Sequence, residues 1–145
     1  MDPKILITNS ESETQKIGEV IIARLSKGGI ILLSGNLGSG KTTFVKGIAK
    51  GLGIGKRIIS PTFIIHRSYI SSSLTLNHLD LYRLNTSAKA EDLGIEDLIC
   101  PKSITVIEWP EKLGKFFDKF KIIVPLVRIS FEYLNESQRK LTIYG

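Results

Sequence analysis

Gly35-Asn36-Leu37-Gly38-Ser39-Gly40-Lys41-Thr42 satisfies every fixed position of the pattern G-x-x-x-x-G-K-[ST]. Such a loop answers a physical problem: a polyphosphate needs many donors converging on one small volume, and side chains would crowd their approach. Glycines let the backbone curl so that successive N–H groups point inward, and a helix that starts just behind adds the partial positive charge of its N-terminus. Lys41 supplies a compact cation for β- and γ-phosphates, and the Thr42 hydroxyl is suited to Mg²⁺. The expected nucleotide contacts are therefore Asn36, Leu37, Gly38, Ser39, Gly40, Lys41, Thr42 and Thr43. An ordinary Gly-rich strand-to-helix turn would share the glycines but has no use for the Lys-Thr pair.

A P-loop of this kind also needs an acid at the end of a neighbouring strand to hold the metal or its waters. Asp80 closes "LTLNHLD" and Glu108 closes "SITVIE". Each could be a solvated strand-end acid; beside a P-loop, one ligating Mg²⁺ and the other orienting water is the sharper reading. "ISPTF" offers two hydroxyls, Ser60 and Thr62, around Pro61. It is either a γ-phosphate-sensing segment or a strand entrance with an incidental turn. His66 and His78 have no partner at metal-ligand spacing and read as structural or surface residues. Trp109, the single tryptophan, reads as a core anchor. Cys100, the single cysteine, excludes an internal disulfide and reads as an incidental thiol.

The elements that must position these groups are visible in the periodicity. "KILIT" reads as a short strand. Ser10 and Glu13 have capping-box spacing, and Ile17, Val20, Ile21 and Leu25 recur at helical spacing behind them. "GIILLSG" reads as a strand buried on both faces, and Lys41 to about Lys50 as the helix that follows. "RIISPTFIIHRSYI" and "LTLNHLDLYRL" read as strands joined by a hairpin at Ser71–Ser73. Ala88 to Ile99 reads as a helix, "SITVIEW" as a buried strand, and the segment after Ile122 as late strands. This alternation predicts a three-layer α/β fold, with a central, mostly parallel sheet flanked by helices.

With 145 residues, 42% apolar and 23% charged, the chain is expected to form one domain over residues 1–145 and not a disordered segment. A net charge of +6 favours anionic ligands or partners. The start, "MDPKILITNSESE", has neither the basic opening nor the apolar run of a signal peptide. No apolar stretch approaches the ~20 residues of a membrane span. A cytoplasmic location and no membrane partner are expected. Lys112, Lys115, Lys119 and Lys121 form either a solvated face or a contact for tRNA or an acidic protein.

"SGNLGSGKTTFVKG", "SPTF", "NHLDLYRL", "EDLGIEDL", "VIEWPEKLG" and the closing "RKLTIYG" stand in the order and rough spacing of the TsaE family. These are bacterial P-loop ATPases of tRNA threonylcarbamoyladenosine biosynthesis, and the resemblance runs from Ser10 onward. It implies a small Mg²⁺-dependent ATPase that assists the TsaD–TsaB complex, which attaches a threonylcarbamoyl group next to the tRNA anticodon. Contact with tRNA would be indirect. By position, the resemblance makes Lys41 the phosphate lysine, Thr42 the magnesium threonine and Glu108 the metal-associated acid. Asp80 becomes an acid acting through water, and Ser60-Pro61-Thr62 a switch segment. Trp109 moves towards the nucleotide, and Ser10, Glu11 and Thr14 are the nearest counterparts of the adenine-packing helix start. Asn36 and Ser39 depart from the family's commoner residues, neither at a fixed position of the phosphate motif; Asn77 and Leu79 stand where bulkier aromatics are common, a change in packing near Asp80 that leaves the acid in place.

Three rivals are weighed. A small-molecule kinase would need a lid and several arginines over the phosphates, whereas five arginines follow the P-loop, scattered from Arg57 to Arg139. A Ras-type GTPase would carry Asn-Lys-x-Asp, and the chain has no Asn-Lys pair. A nucleotide-gated scaffold with little hydrolysis shares every motif above, and no residue stands out as a general base or arginine finger, so the isolated chain should turn over slowly.

Overall fold

The apolar run that follows Gly28 becomes β2 (Gly29–Ser34), the middle of a seven-stranded sheet. This computed structural model describes residues 2–59, 66–84 and 93–145. The other strands are β1 (Lys4–Thr8), β3 (His66–Ile70), β4 (Thr75–Asp80), β5 (Ser103–Glu108), β6 (Leu126–Tyr133) and β7 (Arg139–Tyr144). Their order across the sheet is β1-β7-β6-β2-β5-β4-β3. The core β6-β2-β5-β4 is parallel; β7 on one side and β3 on the other run against it, and the edge strand β1, antiparallel to β7, points the same way as the core. The expected parallel sheet is thus its centre, where the strands are buried on both faces.

Helix α1 (Glu11–Ala23) begins at the predicted cap: the Glu13 N–H donates to Ser10 Oγ at 3.1 Å. The Glu13 carboxylate reaches back one residue further than in a standard capping box, accepting from the Asn9 N–H at 2.9 Å. Helix α2 (Lys41–Gly51) follows the glycine loop. Both helices cover one face of the sheet, where Ile21, Ile22, Phe44, Val45 and Ile48 pack on Ile31, Leu33, Ile104 and Val106. They approach almost backbone to backbone. A Cβ at Gly47 would lie 2.1 Å from the Gln15 carbonyl oxygen, and one at Gly18 would lie 2.7 Å from that of Phe44.

On the opposite face Ile30, Leu32, Leu79 and Ile107 are covered by short 3₁₀ segments, Ile95–Leu98, Pro110–Leu113 and Phe116–Ile122, through Ile95, Phe117 and Phe120. The three layers are those expected, but the second covering layer is not α-helical among the described residues. Of the predicted helix Ala88–Ile99, residues 88–92 lie outside the described residues, and the rest is one 3₁₀ turn. Gly94, at φ +66°, interrupts the helical path just before it. Of the predicted strand through "RIISPTFIIHRSYI", residues 57–59 are irregular and His66–Ile70 form β3; residues 60–65 lie outside the described residues. The serine hairpin forms, with Ser71 Oγ accepting from the Leu74 N–H at 2.9 Å.

Candidate nucleotide site

β2 ends at Ser34, and the chain turns through Gly35 to Gly40 into α2. Gly40 caps that helix at φ +104° without a side-chain bond, a conformation that a residue with a Cβ would enter only under strain. A cavity of about 620 Å³ opens above the loop, within the range of nucleotide-sized pockets. Of the predicted contacts, Ser10, Glu11, Thr14, Leu37, Gly38, Gly40, Lys41, Thr42, Thr43, Asp80, Glu108 and Trp109 line it. Asn36 and Ser39 do not. The Asn36 carbonyl accepts from the Ser39 N–H at 3.1 Å, and Ser39 turns its hydroxyl inward, buried and without a partner among the described residues. Ser60 and Thr62 lie outside the described residues.

Lys41, 4% exposed, donates from Nζ to the Gly35 carbonyl and lies 4.2 Å above the Trp109 ring. Burial pushes its pKa below the usual 10.5, and the carboxylates of Glu108, Asp80 and Glu111 push it back up. Asp80 and Glu108 come from the strand ends, as the sequence predicts. β4 and β5 are parallel with Asp80 opposite Glu108, so both carboxylates emerge together at the C-terminal edge of the sheet. Asp80 Oδ1 accepts from the Tyr82 N–H at 3.0 Å. Glu108 Oε2 accepts from His78 Nε2 at 2.6 Å. His78 is thus structural, as read, but stands directly behind the site.

Trp109 is the single described non-glycine residue with positive φ, at +61°. That turn carries its ring across the cavity wall, between Lys41 and Tyr82, whose ring centroid is 5.0 Å away. It is a site neighbour more than a core anchor.

Four lining residues escape the motif reading: Asn9, Glu136, Ser137 and Arg139. The last three belong to the β6–β7 hairpin, which Gln138 Nε2 joins to Asn9 Oδ1 at 2.7 Å. Arg139 lies along Gly40, stacks 4.6 Å from the Tyr133 ring and donates to the carbonyls of Asn135 and Gln138 at 2.6 and 3.0 Å. Its Nε is buried without a partner among the described residues. The arginine in "RKLTIYG" was the one available signal.

The residues fit a magnesium–triphosphate pair. Thr42, Asp80 and Glu108 offer hard oxygens, the preferred ligands of Mg²⁺. Among the described residues no three His, Cys, Asp or Glu side chains form a group that could hold a metal ion by themselves.

A phosphate loop between a parallel strand and a helix, with acids at the ends of the adjoining parallel strands, defines a P-loop-type α/β protein. A family profile described as "Threonylcarbamoyl adenosine biosynthesis protein TsaE" matches residues 8–141, and the chain belongs to that family. Its process is therefore threonylcarbamoyladenosine biosynthesis. The tRNA threonylcarbamoyladenosine biosynthesis protein TsaE of Rickettsia felis is 36% identical over 96% of this chain and 78% of its own length. That of Treponema pallidum is 35% identical over 94% of this chain and 97% of its own. A crystal structure of Bacillus subtilis YdiB superposes with a TM-score of 0.73 at 26% identity, covering 99% of this chain and 86% of that one. No described helix is long and apolar enough to cross a membrane.

Proposed function

We propose that the chain is a single Mg-ATP-binding domain, a slow ATPase whose hydrolysis assists the TsaD–TsaB complex in tRNA threonylcarbamoyladenosine formation in the cytoplasm. One observation carries the reading: a buried lysine, a helix-starting threonine and two strand-end carboxylates from residues far apart in sequence line one nucleotide-sized cavity. In this reading the loop amides and Lys41 hold the β- and γ-phosphates. Thr42 and Glu108 would hold Mg²⁺, which when bound would neutralise charge on the phosphates. Asp80, tied to the Tyr82 amide, would act through water. The start of α1 and the β6–β7 hairpin flank the base end. Family membership supports the tRNA-modification role, and the partner complex follows from the motif resemblance.

The test measures ATP hydrolysis by the purified chain with and without TsaD–TsaB, alongside tRNA modification in the same mixture. Slow Mg²⁺-dependent turnover that the partners stimulate is expected. Tight ATP binding that supports modification without stimulated hydrolysis would turn the reading into the nucleotide-gated scaffold, and phosphate found on a small acceptor would turn it into a kinase.

A further inference from the structure

Glu108 is 3% exposed and His78 is wholly buried. A carboxylate so far from water is costly unless donors satisfy it. The donor comes from the neighbouring strand. In the parallel β4–β5 pair Asp80 stands opposite Glu108 and His78 opposite Val106, which places His78 one pleat below Asp80 on the face that carries both acids. The contact is therefore diagonal, and two long side chains can span it. The imidazole occupies Oε2 and leaves the other carboxylate oxygen outside that bond. A second pull acts on the same carboxylate: Glu108 is the largest charge partner of the buried Lys41 ammonium. An untethered Glu108 would be free to turn towards that cation.

We infer that His78 is the positioning residue of Glu108, fixing the carboxylate's direction for the divalent ion that accompanies the triphosphate. This rests on the Mg-ATP reading above and extends it by one residue behind the metal. Outer-shell partners of this kind hold ligands in place, and their loss weakens metal binding by ~10–100-fold.

The test uses Mn²⁺ as a spectroscopic stand-in, titrated by electron paramagnetic resonance into the full-length chain saturated with β,γ-imido-ATP. Metal-free nucleotide binding is measured in EDTA in parallel. His78→Gln can place an amide nitrogen near the position of Nε2; His78→Asn cannot reach it. The glutamine variant should hold Mn²⁺ within ~3-fold of wild type, and the asparagine variant at least ~10-fold more weakly. Metal-free nucleotide affinity should stay nearly unchanged in both. In a Glu108→Ala background, His78→Asn should cost no further Mn²⁺ affinity, because its effect passes through that carboxylate. Equal Mn²⁺ affinity in the two polar variants, or losses that simply add, overturns the inference and leaves the Mg-ATP reading standing. Absence of nucleotide-dependent Mn²⁺ binding in the wild-type chain sinks both.

Discussion

At the phosphate end of the cavity the chemistry-bearing groups are buried and hold one another: Lys41 on the Gly35 carbonyl and the Trp109 ring, Glu108 on His78, Asp80 on the Tyr82 amide. At the other end Ser10, Glu11, Glu136 and Ser137 are exposed, and most of their bonds run to residues a few positions away. The first end rests on the last residues of parallel strands fixed by the sheet. The second is assembled from a helix start and a hairpin that meet through Gln138 and Asn9. Under the proposed Mg-ATP function the contrast would match the demands on each end: dense charge must be met by preorganised, desolvated partners, whereas a base can be met by a looser wall.

The contrast can be broken or sharpened by substitution. Lys41→Ala removes the buried cation and should weaken ATP binding on the order of 100-fold, read by calorimetric titration. A loss of only a few-fold would mean that the amides alone carry the phosphate end. Glu108→Ala should leave ATP affinity within ~3-fold yet cut Mg²⁺-dependent hydrolysis by ~10–100-fold; wild-type turnover would remove Glu108 from the site. Arg139→Ala loosens the hairpin wall and should cost ~3–10-fold in affinity, equally for ATP and ADP, since its guanidinium is engaged with the hairpin's own Asn135 and Gln138 carbonyls. A selective loss of ATP would place this arginine at the γ-phosphate and erase the distinction between the two ends. Ser10→Ala removes the α1 cap and should cost about 1 kcal/mol of stability, read as a drop of several degrees in Tm, with little change at the phosphates.

The phosphate end was legible because its signals are local. The loop motif and the acids closing "LTLNHLD" and "SITVIE" each declare themselves within a few residues. His78 looked like a histidine without a partner because its partner lies 30 positions away and meets it through strand register, which no local pattern encodes. Asn9, and the place of Arg139 against the loop, were hidden for the same reason, since their neighbourhood depends on which edge of the sheet the last hairpin joins. The predicted helix ending at Ile99 failed in its described part at Gly94, where an otherwise helical pattern meets a left-handed turn.

The glycine contact between α1 and α2 reaches further than packing. Both helices start at the cavity, one beneath the phosphate loop and one at the base end, and they run side by side with Gly47 against Gln15. They behave as two prongs of one fork welded at the handle. Adding a single methyl group at Gly47, more than a helical turn beyond the loop, would spread the prongs and widen the mouth between them. The distance between the two walls of the cavity is thus set at a spot outside its lining.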